Sequence, residues 1–229
     1  MNYRDFEKVL SAPRIGRYKT SCNGNEQKTL KLYLLNIEIS KDFYALLSLF
    51  EITLRNAINE HYKEHFNDEN WIINQEYNNF FHPERKIVLA EYDKLVASDL
   101  YKPDKLMSAL TFGIWTEMFS GYCFAKGNQT LLKIFPNRQK GVNQKYIHKE
   151  LKEIKNFRNK IAHHEPICFD RNNISANYAE NILAKILTLF AFLGISENIL
   201  CEFNKTESNL EKLRTFNSSD ILRDNSSCH

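Results

Sequence analysis

The sequence predicts an all-α protein, a single helical-bundle domain. Three observations carry that expectation. Glycine (7) and proline (5) are scarce in 229 residues, which disfavours a turn-rich sheet. Hydrophobic content is 43% with 13% aromatic, enough for a sizeable core. Apolar residues recur at helical spacings of three and four, and no alternating strand series is found.

The elements follow in order. Residues 1–10 read as a short helix on Phe6, Val9 and Leu10, and 11–26 as a loop holding Pro13, Gly16 and Gly24. Leu30, Tyr33, Leu34 and Ile37 predict a helix near 28–39. Ser40 reads as the N-cap of a second helix, 41–65, with Phe43, Leu46, Phe50, Leu54 and Ala57 along one side. Pro83 reads as opening a helix to about Ser98, and Pro103 one over 104–125, whose Phe112, Trp115 and Phe119 belong to a core. Residues 126–141 look irregular. A helix over 143–163 carries Ile147, Leu151, Ile154 and Ile161, and another over 175–193 carries Tyr178, Ile182, Ile186, Leu189 and Leu193. The expected organisation is one domain over 1–203 with a polar C-terminal tail over 204–229.

Composition narrows the class. Five scattered cysteines, an odd number without a CxxC pair, fit reduced thiols better than a disulfide or zinc scaffold. The N-terminus lacks an apolar signal segment, and no long uncharged apolar run is present, so a cytoplasmic location without membrane partner is expected. The formal net charge is only +3. Its distribution says more. Residues 133–160 hold nine Lys/Arg against Glu150 and Glu153, a local net of +7, which leaves the rest at −4. Such a segment suits an anionic polymer, although a solvated helix face explains an isolated lysine run equally well.

The most informative stretch is Phe-Arg-Asn-Lys-Ile-Ala-His-His-Glu-Pro, 157–166. Arg158 falls within the apolar stripe of its helix, so it is expected to be paired, to face a second subunit or to line a site. On an ideal helix His163 and His164 lie about 140° and 120° from Arg158. Either the helix ends near Ala162, as Pro166 favours, or the groups converge across an interface. The chemistry suits RNA cleavage. A histidine removes the 2′-hydroxyl proton or protonates the leaving 5′-oxygen, Arg158 stabilises phosphate charge, and Asn159 orients either group. The competing reading is a helix end whose arginine and histidine satisfy terminal carbonyls.

A second constellation is Glu51, Arg55 and Asn56. Glu51 and Arg55 form an i,i+4 pair, read either as a structural ion pair or as support for the Arg158 site. Candidate RNA contacts are Lys145, Lys149, Lys152, Lys155 and Lys160, with Arg14 and Arg17 (and Lys19) joining if the N-terminal loop folds over the site. His61 reads as a packed histidine. His61 and His65 have metal-ligand spacing but lack a metalloprotease pattern, and no P-loop or dinucleotide fingerprint is present. No metal or cofactor is expected.

The chain resembles the Abi family of bacterial abortive-infection proteins, the AbiD/AbiF-like group. Leu30 to Leu54 leading into Arg55-Asn56-Ala57-Ile58, Thr111 to Trp115, and Phe157 to Ile167 carry the resemblance, which spans roughly residues 8–195. It implies an all-helical HEPN fold. HEPN ribonucleases place an arginine and a polar residue shortly before a histidine, matched here by Arg158, Asn159 and His163, with His164 as the competing histidine. The resemblance further implies metal-independent cleavage by 2′-hydroxyl transesterification, a composite site in a homodimer, and anti-phage growth arrest as a toxin. A structured noncoding RNA partner belongs to the same expectation, and the sequence identifies no antitoxin. HEPN proteins without activity keep a second class open, a non-catalytic RNA-binding or protein-interaction module with a structural Arg/His cluster.

Overall fold

A computed structural model describes residues 3–196, 198, 200 and 206–216. These are predominantly α-helical, with one two-residue antiparallel β pair. The helices are α1 (Tyr3–Leu10), α2 (Ala12–Ser21), α3 (Glu26–Phe66), α4 (Trp71–Glu76), α5 (Arg85–Ala97), α6 (Pro103–Ala109), α7 (Phe112–Glu117), α8 (Gly121–Lys126), α9 (Gln144–Ala162), α10 (Asn177–Phe192) and α11 (Thr206–Arg214). A 3-10 turn, Leu131–Ile134, precedes α9. Strands β1 (Phe169–Asp170) and β2 (Asn173–Ile174) pair Phe169 with Ile174. No described helix is long and apolar enough to cross a membrane.

Helix α3 is continuous over 41 residues, about 60 Å, where a break at Ser40 was expected. Ser40 does not cap. Its hydroxyl donates to the Asn36 carbonyl at 2.7 Å, inside the same helix. The apolar stripe also runs through: Leu32, Leu35, Ile39, Phe43, Leu46, Phe50, Leu54, Ile58 and Tyr62 are all buried. The helix starts where Asn25 Oδ1 accepts the Lys28 amide at 2.9 Å.

The chain forms two compact units, each built from separated segments. The first takes residues up to Leu46, then Phe157–Ala184, then the C-terminal segment from Glu197. Tyr3, Phe6 and Ile15 form one apolar cluster there, joined by Leu10, Leu30 and Tyr33. Tyr18 stands edge-on to both Tyr33 (5.1 Å) and Phe169 (5.3 Å), and Phe43 meets Phe157 at 4.7 Å. Thus 12–21, expected to be loop, is helix α2, because Ile15 and Tyr18 bury one face of it and Pro13 sits in its first turn. Of the tail expected from residue 204, the described part is α11, whose Thr206, Leu210 and Leu213 are buried. Residues 217–229 lie outside the described residues.

The second unit takes Leu47–Asn156 and Lys185–Ser196. Tyr62 is ringed by Phe66, Trp71 and Phe80 at centroid distances of 5.0–5.4 Å. Trp71 Nε1 donates to Asn59 Oδ1 at 3.0 Å. Gly127 has no room for a side chain, because a Cβ there would run into the Tyr62 ring. The helix expected over 104–125 is three short helices. Leu110 and Thr111 adopt extended conformation between α6 and α7, and Ser120, also extended, caps α8 by accepting the Cys123 amide at 3.3 Å. Phe112, Trp115 and Phe119 are buried, as the sequence predicts.

Candidate functional site

Helix α9 brings the motif into place. Asn143 Oδ1 accepts the Tyr146 amide at 3.0 Å and opens the helix. Ile147, Leu151, Ile154 and Ile161 are buried as predicted, and Phe157 joins their stripe at 0% exposure. Arg158 shares that stripe at its edge and is half-buried, while Asn159 is exposed. Among the described residues Arg158 has no carboxylate or hydrogen-bond partner.

The helix ends at Ala162, where Pro166 placed it. The His164 amide reaches back to the Ile161 carbonyl at 3.0 Å and the Glu165 amide to the Lys160 carbonyl at 2.8 Å. This pair of bonds is a Schellman cap with His164 at its left-handed position, φ 57°. Glycine is the usual occupant there, and a bulky residue costs on the order of 1 kcal/mol. The Lys160–Glu165 ion pair, 3.3 Å, spans the same cap. His163 and His164 are both exposed.

Helix α2 faces this helix end within the same unit. Arg14 donates to the His164 carbonyl at 2.9 Å. Arg17, three residues on, donates to the Arg171 carbonyl and lies 4.3 Å over the Phe169 ring. Arg171 is also left-handed, φ 52°. Each arginine therefore fastens one residue of positive φ, one at either end of the segment 164–171. Asn36 fastens its middle: its buried Oδ1 accepts the amides of Ile167 (2.8 Å) and Cys168 (3.2 Å). Burial pushes the Cys168 thiol up to about 12, so it stays protonated.

Between α2 and the helix end is an open cavity of about 510 Å³, lined by Ser11, Pro13, Arg14, Arg17, Tyr18, Tyr33, His163, His164, Glu165 and Pro166. The structure thus groups both histidines with Arg14 and Arg17, as the sequence reading allowed, though from a helix and not a loop. Arg158 and Asn159 are not among the lining residues. Tyr18, Tyr33 and Asn36 were missed. The Ile15/Tyr18 spacing and the place of Tyr33 in the Leu30/Tyr33/Leu34/Ile37 stripe mark burial and not chemistry, and no pattern points to Asn36.

In the second unit Lys145, Lys149 and Lys152 line a cavity of about 430 Å³ with Gln144, His148, Glu153 and Gly121. These three lysines are exposed and form no ion pair among the described residues. Lys155 and Lys160 differ, being paired with Glu117 (3.8 Å) and Glu165. His148 Nε2 lies 3.6 Å from Glu117. Burial holds the His148 imidazole below the ordinary histidine range, against the pull of Glu117.

Arg55 Nε meets Asn56 Oδ1 at 3.5 Å, a marginal bond. Glu51 and Arg55 are half-buried and Asn56 is exposed. His61 and His65 stack at 5.9 Å, and their Nε2 atoms meet Thr130 (2.9 Å) and Asn128 (3.0 Å). Among the described residues no group of three His, Cys, Asp or Glu side chains is placed to hold a metal ion. Comparison of the chain with protein-family models, curated proteins and solved structures finds no match.

Proposed function

We propose that this protein is a metal-independent endoribonuclease that acts in the cytoplasm as an abortive-infection toxin of the Abi, HEPN-like kind. The observation that carries the reading is the shared cavity: two exposed histidines and two arginines open onto one space. One imidazole takes the ribose 2′-hydroxyl proton and the other donates to the leaving 5′-oxygen. Guanidinium groups hold the phosphate as charge builds on it. The products then carry 2′,3′-cyclic phosphate ends.

Arg158, unpaired among the described residues and outside that cavity, fits a site completed by a second copy of the chain. In the first unit, Leu34, Ile37 and Tyr44 leave an apolar face of α3 exposed, which a two-fold related copy can cover. The unpaired Lys145, Lys149 and Lys152 provide phosphate contacts for a longer strand. A structured noncoding RNA is a partner that only the family resemblance implies.

One observation favours the alternative, a non-catalytic RNA-binding or protein-interaction module. Arg14 already satisfies the carbonyl of His164 at the helix end, which is a structural role. Incubating single-stranded RNA with the protein in EDTA separates the two: binding with cleavage supports the nuclease, binding without cleavage the module.

A further inference from the structure

Tyr18 is 2% exposed, yet it lines the cavity and its hydroxyl has no hydrogen-bond partner among the described residues. Its hydroxyl is not among the buried side-chain oxygens that lack a partner, so it is reached by solvent across the cavity and is free to donate to a ligand there. Arg14 and Arg17 stand on the same wall. Each uses one guanidinium N–H on a backbone carbonyl, and each guanidinium has five. Their remaining donors, the Tyr18 hydroxyl and the imidazoles of His163 and His164 form a donor-rich surface around one opening. The single carboxylate in the lining, Glu165, is engaged by Lys160. Burial raises the Tyr18 phenol far above its ordinary value, so it is a donor at neutral pH.

We propose that this cavity is the phosphate-holding site for an RNA strand, with Arg14, Arg17 and Tyr18 as its donors, built within one copy of the chain and without Arg158. The identity of the strand rests on the nuclease reading above; the phosphate site does not depend on cleavage. Backbone strain fits the assignment. Ser11 (φ 71°) and His164 (φ 57°), both at positive φ without being glycine, border the opening. Arg14 and Arg17 hold the helix end and the following segment in the shape that exposes both imidazoles. The donors are therefore preorganised and not recruited on binding.

The test is a titration of the full-length protein, followed through the imidazole NMR signals of His163 and His164, assigned with His163→Gln and His164→Gln. Two probes are used: an uncleavable 2′-O-methyl RNA oligomer and adenosine 3′-monophosphate. The oligomer should shift both imidazoles. Tyr18→Phe, which keeps the buried ring, should weaken its binding about tenfold through loss of one bond to an anion, and Arg14→Gln at least as much. Arg158→Gln should leave the shifts of both imidazoles in place. Wild-type affinity in Tyr18→Phe, or shifts lost in Arg158→Gln but kept in Arg14→Gln, would overturn the assignment. Shifts with the mononucleotide alone would overturn the strand and leave a free nucleotide as ligand. Binding by a protein that cleaves no RNA would refute the nuclease and leave this site standing.

Discussion

At the residue scale, His164 combines an unfavourable backbone conformation with a place at the mouth of the cavity. A glycine there relieves left-handed strain. His164→Gly should therefore stabilise the fold by about 1 kcal/mol in denaturant titration while weakening RNA cleavage. Loss of stability would mean that the imidazole itself supports the helix end. Asn36 makes the opposite case. Its Oδ1 serves two buried amides, so Asn36→Ala should cost about 2–4 kcal/mol and loosen the segment behind the histidines. Hydrogen exchange at the Ile167 and Cys168 amides reads this directly, and unchanged protection would contradict it.

At the element scale, α9 was legible because its period is unbroken: the stripe from Ile147 to Ile161, the end at Ala162 and the exposed lysines follow from spacing and Pro166. Helix α2 was not. Pro13 and Gly16 resemble loop residues, and only Ile15 and Tyr18 of its ten residues are buried, so its helicity comes from tertiary packing. The continuity of α3 was hidden by Ser40, which serves as a cap or bonds back within a helix with equal ease. The cavity itself brings residues about 150 positions apart together, and no local pattern encodes that.

Two consequences of these helices are measurable. Replacing Lys145, Lys149 and Lys152 together by Gln should weaken RNA binding and flatten its log–log salt dependence by roughly 0.7 per lost phosphate contact. Identical slopes would leave these lysines as a solvated face. In the second unit, burial depresses both His61 and His148. Below the ordinary value of 6.5 the unfolded chain then binds more protons than the folded one. Their contribution to stability is full above that pH and is lost as pH falls through the window down to their folded values. His148→Gln should flatten the acid side of a stability–pH curve, and an unaltered curve would assign the loss elsewhere.

At the scale of the whole molecule, one copy gathers His163, His164, Arg14 and Arg17 but leaves Arg158 outside their cavity. A second copy is the simplest way to use an arginine that stands in an apolar stripe with no partner among the described residues. Light scattering should find a dimer at micromolar concentration, and Tyr44→Glu on the exposed face of α3 should dissociate it. A monomer with and without RNA would remove the composite site and leave the cavity to act alone.

The proposed chemistry meets its most direct test in RNA cleavage with EDTA present, wild type beside Arg158→Ala, His163→Ala and His164→Ala, with product ends identified by mass spectrometry. Wild type should yield 2′,3′-cyclic phosphate ends, and Arg158→Ala and His163→Ala should each lose on the order of 100-fold or more in rate while remaining folded. His164→Ala decides which imidazole is indispensable. Cleavage that requires Mg²⁺, or that persists in both Arg158→Ala and His163→Ala, would contradict the mechanism.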